Sequence, residues 1–131
     1  MPEGISQTVI RHTVYHLLIG VFARMPHRWL TEPQILRFFT EAILRPEVAA
    51  HLRPNGLQSH DHVVGFLRTR LSLLVSAYLL IPDLEPGDQR YRVSHRMVER
   101  SREHYAEGDQ IHELLDQLAR ELEAAPIAGA V

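Results

Sequence analysis

Apolar residues recur at helical intervals near the start of the chain. Ile10, Val14, Leu17, Leu18, Val21 and Phe22 share one face, and Pro26 ends the run. This spacing predicts a first helix over residues 7–25. The tetrapeptide His27-Arg28-Trp29-Leu30 then reads as a short extended link into Thr31-Glu32-Pro33-Gln34. Thr31 can cap the amide three residues on, Gln34 can reach back, and proline is tolerated in a first turn, so a second helix starts here. Ile35, Leu36, Phe38, Phe39, Ala42 and Ile43 form its apolar face. Arg45-Pro46 ends it or begins a short helix over residues 46–52, and Pro54-Asn55-Gly56 is a turn.

A third helix, capped by Ser59 or Asp61, is predicted over residues 59–76, with Val63, Phe66, Leu67, Leu71, Leu74 and Val75 inward. Its other face carries Asp61, Gly65, Arg68, Thr69, Ser72 and Ser76 at intervals of three or four, a small, polar and partly basic stripe. The pattern then becomes β-like. Tyr78-Leu79-Leu80-Ile81, a turn at Pro86-Gly87-Asp88 and Arg90-Tyr91-Arg92-Val93 read as a hairpin, with Arg90 and Arg92 on one strand face and Tyr91 and Val93 on the other. Residues 95–124 are helical again, with a break or kink at Gly108. Ile111, Leu115, Leu118 and Leu122 are spaced four, three, four, with Leu114 beside them. This heptad-like seam reads as a dimer interface or as the closing face of an intramolecular helix, and dimerisation is the expectation. Residues 125–131 read as a flexible tail.

At 131 residues the chain suits one domain. It has no cysteine, which removes disulfides, thiolate nucleophiles and cysteine-ligated zinc. All 14 basic side chains are arginine, so lysine-based covalent chemistry and the lysine of a Walker loop are also absent. The net charge of −2 conceals an asymmetry. Residues 107–131 carry six acids against Arg120, a net of −5, while the preceding part carries 13 arginines and ten acids, a net of +3. Leu17 to Ala23 is too short an apolar run to span a bilayer, so a cytoplasmic protein without membrane contact is expected.

Candidate chemistry is sparse. His12 and His16 have a spacing compatible with zinc, and His60 and His62 flank Asp61, but no third ligand is placed by the pattern. His112-Glu113-Leu114-Leu115-Asp116 resembles a zinc-protease helix with aspartate in place of the second histidine. There is no glycine-rich phosphate loop and no nucleophile elbow. No catalysis, cofactor or metal is expected.

The order of elements, together with residues 17–35 as an opening and residues 74–93 as a helix end, turn and hairpin, resembles a winged helix-turn-helix domain. The resemblance covers roughly residues 7–94. It implies a mainly α fold with a small β-hairpin wing, extended by N- and C-terminal helices as in MarR- or PadR-type bacterial regulators. The winged domain is expected over residues 1–94, a helical extension over 95–124 and the tail beyond. Residues 45–57 are long for the motif, so its first helix is either the first helix of the chain or residues 31–44; both registers leave the third helix as the recognition element.

The resemblance further implies a transcriptional regulator whose partner is double-stranded DNA. His60, His62, Gly65, Arg68 and Thr69 would meet base edges and phosphates, Arg70 and Ser72 the backbone, and Arg90 or Arg92 the adjacent minor groove. Ile111, Leu114, Leu115, Leu118 and Leu122 would form a homodimer seam. The acids Asp83, Glu85 and Asp88 in the wing run against phosphate contact. The alternative is a winged-helix module that binds a protein partner without reading bases, such as an accessory subunit of a chromosome-organising complex or an anti-repressor. A small-molecule sensor walled by Trp29, Phe39 and Tyr78 is compatible with the first reading.

Overall fold

A computed structural model describes residues 11–54, 59–84, 87 and 89–125, without the side chain of His60. Among them are six helices and three strands: α1 (Val14–Phe22), β1 (Trp29–Thr31), α2 (Glu32–Ile43), α3 (Pro46–Ala49), α4 (His60–Ser76), β2 (Leu80–Pro82), β3 (Arg90–Val93), α5 (His95–His104) and α6 (Ile111–Ala124). The fold is mainly helical with a small antiparallel sheet.

Helix α1 starts later than its periodicity implied. The Thr13 side chain accepts from the His16 amide and caps it, while His12 pairs in a parallel bridge with Leu52. The expected helix over residues 7–10, the turn at residues 55 and 56, Glu85, Pro86 and Asp88 of the wing, and the tail beyond Ala125 lie outside the described residues. Helix α1 is buried almost all round and forms the spine of the core. Helix α2 has both halves of the predicted capping box: Thr31 Oγ1 accepts from the Gln34 amide at 3.2 Å, and Gln34 Oε1 accepts from the Thr31 amide at 3.4 Å. The short helix predicted over residues 46–52 is a single turn, α3, with Val48 inward. Ser59 caps α4 through the His62 amide.

The hairpin gains a third strand. The order is β1-β3-β2, with Trp29 opposite Arg92, Leu30 opposite Tyr91, and Ile81 on the other side of Arg92. Tyr78, expected as the first residue of β2, instead turns through a left-handed conformation at φ 61° and is 70% exposed. Its carbonyl accepts from the Ser94 hydroxyl at 2.8 Å, which ties the turn to the start of α5.

The break near Gly108 is a six-residue link. Tyr105 leaves α5 in an extended conformation, and Asp109 Oδ1 accepts from the Ile111 amide at the start of α6. Helix α6 then packs on α1, where Gly20 allows the close approach: a Cβ there would lie 2.7 Å from Leu115 Cδ1 and 3.0 Å from Tyr105 Cε2. Ile111, Leu114, Leu115, Leu118 and Leu122 are all buried within the one chain. The apolar face of α6 is thus covered within the chain, chiefly against α1, as the closing face of an intramolecular helix is. One continuous hydrophobic cluster includes α1, α2, α4, the sheet and α6, so the C-terminal helices complete the core.

Candidate nucleic-acid interface

Helix α4 packs on α2 through Val63, Leu67, Leu71 and Leu74, all buried, and turns its polar stripe outward. His62, Gly65, Arg68, Thr69 and Ser72 are exposed. No atom lies within 4 Å of a Cβ placed on Gly65, so packing does not demand glycine there. The Thr69 hydroxyl donates back to the Gly65 carbonyl at 3.2 Å. Arg68 Nε stands 3.7 Å from Glu32 Oε1 at the start of α2. The Arg70 guanidinium lies 3.6 Å from the centre of the Phe66 ring and covers that half-buried apolar surface. His60 is the first residue of α4, and its side chain lies outside the description.

On β3 the predicted alternation is present. Tyr91 and Val93 are buried, while Arg90 is exposed and Arg92 half-buried on the opposite face. Arg90 is paired with Asp83 by two hydrogen bonds, Nε at 3.0 Å and a shorter one through Nη2. Its guanidinium also stands 5.3 Å from the centre of the Trp29 ring. Of the three aromatics that could wall a sensor pocket or form an aromatic core, Phe39 is in the core, whereas Trp29 and Tyr78 are on the surface.

A second constellation went unseen in the periodicity. His12, before α1 and itself buried, directs Nε2 to Asp109 Oδ2 at 3.0 Å and Nδ1 to the half-buried His104 Nε2 at 2.9 Å. The His104 ring stacks on His16 with 3.6 Å between centroids and 5° between planes. The Tyr105 hydroxyl donates to the His16 carbonyl at 2.5 Å. Burial, then repulsion from His104, His12, Arg53 and Arg100, lowers the His16 pKa from 6.5 to about 4. Burial and His12 also lower His104, partly offset by Asp109. Burial raises the Tyr105 hydroxyl above its usual value. Both ring nitrogens of His12 are engaged by protein groups. Among the described residues no group of three His, Asp or Glu side chains is arranged to hold a metal ion.

Beside this joint, Ala23, Arg24, Val98, Tyr105 and His112 help line a cleft of about 400 Å³. Arg24 is spent internally, on Asp116 at 2.5 Å, the Gly20 carbonyl at 2.8 Å and His112 Nδ1 at 3.0 Å. It clamps α6 to α1. His104, Tyr105, Asp109 and Arg24 carried no local signal, because each meets partners from the other end of the chain. Among the described residues no helix is long and apolar enough to cross a membrane. No protein-family model, curated protein or solved structure matches the chain.

Proposed function

We propose that the chain is a winged helix-turn-helix transcriptional regulator that binds duplex DNA, with α4 entering the major groove and the β2–β3 hairpin lying beside it. The observation that carries this reading is the arrangement of α4: its apolar face is used on α2, while Arg68, Thr69 and Ser72 face solvent together. The β1-β3-β2 order, with arginines on the outer face of β3, supports a wing. Arg68 is the candidate for a bidentate contact to guanine, and Arg92 for the phosphates or the minor groove. The reading includes no catalytic step, and it assigns no dimer contact to α6.

The test is fluorescence anisotropy with a labelled duplex over a salt series. Affinity falls linearly on a log–log plot of binding against salt; Arg92→Ala reduces the slope by about 0.9, whereas Arg68→Ala weakens binding to the preferred sequence by about 1–3 kcal/mol and leaves the slope nearly unchanged. A folded protein that binds no duplex at about 50 mM salt overturns the reading.

A protein-binding role for the same scaffold is favoured by a different observation. Arg68 and Arg90 each face an acid of their own chain, and Leu84 in the wing is 92% exposed. Failure of duplex binding moves the assignment there.

A further inference from the structure

We propose that the outer face of the three-stranded sheet is a platform for single-stranded nucleic acid, with Trp29 as the stacking surface and Arg92 as the phosphate contact. The antiparallel register sets Trp29, Arg92 and Ile81 in one row across β1, β3 and β2. Alternation puts this row on the face opposite Leu30, Tyr91 and Val93, which are buried. The row therefore faces solvent with an indole, a guanidinium and an aliphatic side chain side by side.

Trp29 is the sole tryptophan and is 47% exposed. Arg90 stands over its ring, so a cation already sits against the indole. At one end of the row the His27 and His95 rings run nearly parallel, 6.4 Å apart. His27 holds a left-handed backbone at φ 67°, which a residue with a Cβ adopts only at a cost, and its amide donates to the Val93 carbonyl at 2.8 Å. Among the described residues at the margins, Asp83 is paired with Arg90, and Glu99 Oε1 lies 3.9 Å from His95 Nε2.

This chemistry selects the occupant. A purely apolar partner has no use for two guanidiniums beside the indole. A duplex keeps its bases stacked and offers the indole no open ring. An unpaired strand brings a base to stack and a phosphate to neutralise in every nucleotide, which matches a half-exposed tryptophan flanked by arginines. The platform shares Arg92 with the duplex reading but uses no residue of α4, so Trp29 separates the two.

The experiment titrates the full chain with short oligothymidine and with a duplex of equal length, following Trp29 emission directly. Saturable quenching by the single strand that weakens with salt is the expected result. Anisotropy of the labelled oligothymidine then shows roughly 5- to 100-fold weaker binding by Trp29→Ala, with partial recovery in Trp29→Phe. Arg92→Ala reduces the salt slope by about 0.7. A thermal melt of each variant verifies the fold. Absent quenching, unchanged single-strand affinity in Trp29→Ala, or equal quenching by polyglutamate each overturns the proposal, the last in favour of an acidic protein partner.

Discussion

His16 and His104 lie face to face, with ring centroids 3.6 Å apart, and so join the first turn of α1 to the last residue of α5. Two neutral imidazoles stack at this distance, whereas two imidazolium ions repel. The groups around His16 are His12, His104, Arg53 and Arg100, with Asp109 bound to His12. The folded pKa of His16 is about 4 against 6.5 for an unperturbed histidine. The unfolded chain thus binds the proton more readily, and stability is fully present above pH 6.5 and lost as the pH falls towards about 4. Thermal melts across this window are expected to show a declining Tm, and His16→Gln a shallower decline. A Tm independent of pH in the wild type removes the stack from any role in acid sensitivity.

Asp109 serves two partners at once, the His12 ring through Oδ2 and the Ile111 amide through Oδ1. Asp109→Ala leaves a buried imidazole nitrogen without its acceptor and the Ile111 amide at the start of α6 without the carboxylate it donates to. A loss of about 2–4 kcal/mol in urea denaturation is expected. Asp109→Asn, which keeps an acceptor oxygen, should recover part of it.

Gly20→Ala sets helix propensity against packing. Alanine favours the helix by up to about 1 kcal/mol, but its methyl would enter the space held by the buried Leu115 and Tyr105 side chains. Overpacking of this kind costs about 1–3 kcal/mol, so the net expectation is destabilisation. A variant at least as stable as the parent would show that α6 can shift away from α1 without loss.

The burial of the α6 seam makes a prediction about assembly. Leu118→Ala is expected to lower stability by about 2–5 kcal/mol, as a core truncation does. The denaturation midpoint of the parent should not change with protein concentration over a tenfold range. A midpoint that rises with concentration would restore the seam to a subunit interface.

Much of the local structure was legible from residue order alone. The capping box at Thr31 and Gln34, the Ser59 cap, the inward faces of α2 and α4 and the alternation along β3 all follow from contacts within a few residues. The outward stripe of α4 was legible for the same reason, since a 3.6-residue period assigns faces without a partner. The sequence alone left open what the heptad-like run of α6 packs against, because an apolar face on a helix is the same signal whether a second copy or the chain's own α1 covers it.

Tertiary structure decided the rest, where partners lie far apart along the chain. It brought β1 against β3 and thereby placed Trp29 beside Arg92, which no period in residues 27–31 contains. It set Arg68 of α4 against Glu32 of α2, a partner that the period of α4 does not contain. It also gathered His12, His16, His104 and Asp109 into one buried joint. Periodicity records which side of an element is apolar; only the packed chain determines which polar groups meet once water has been excluded from between them.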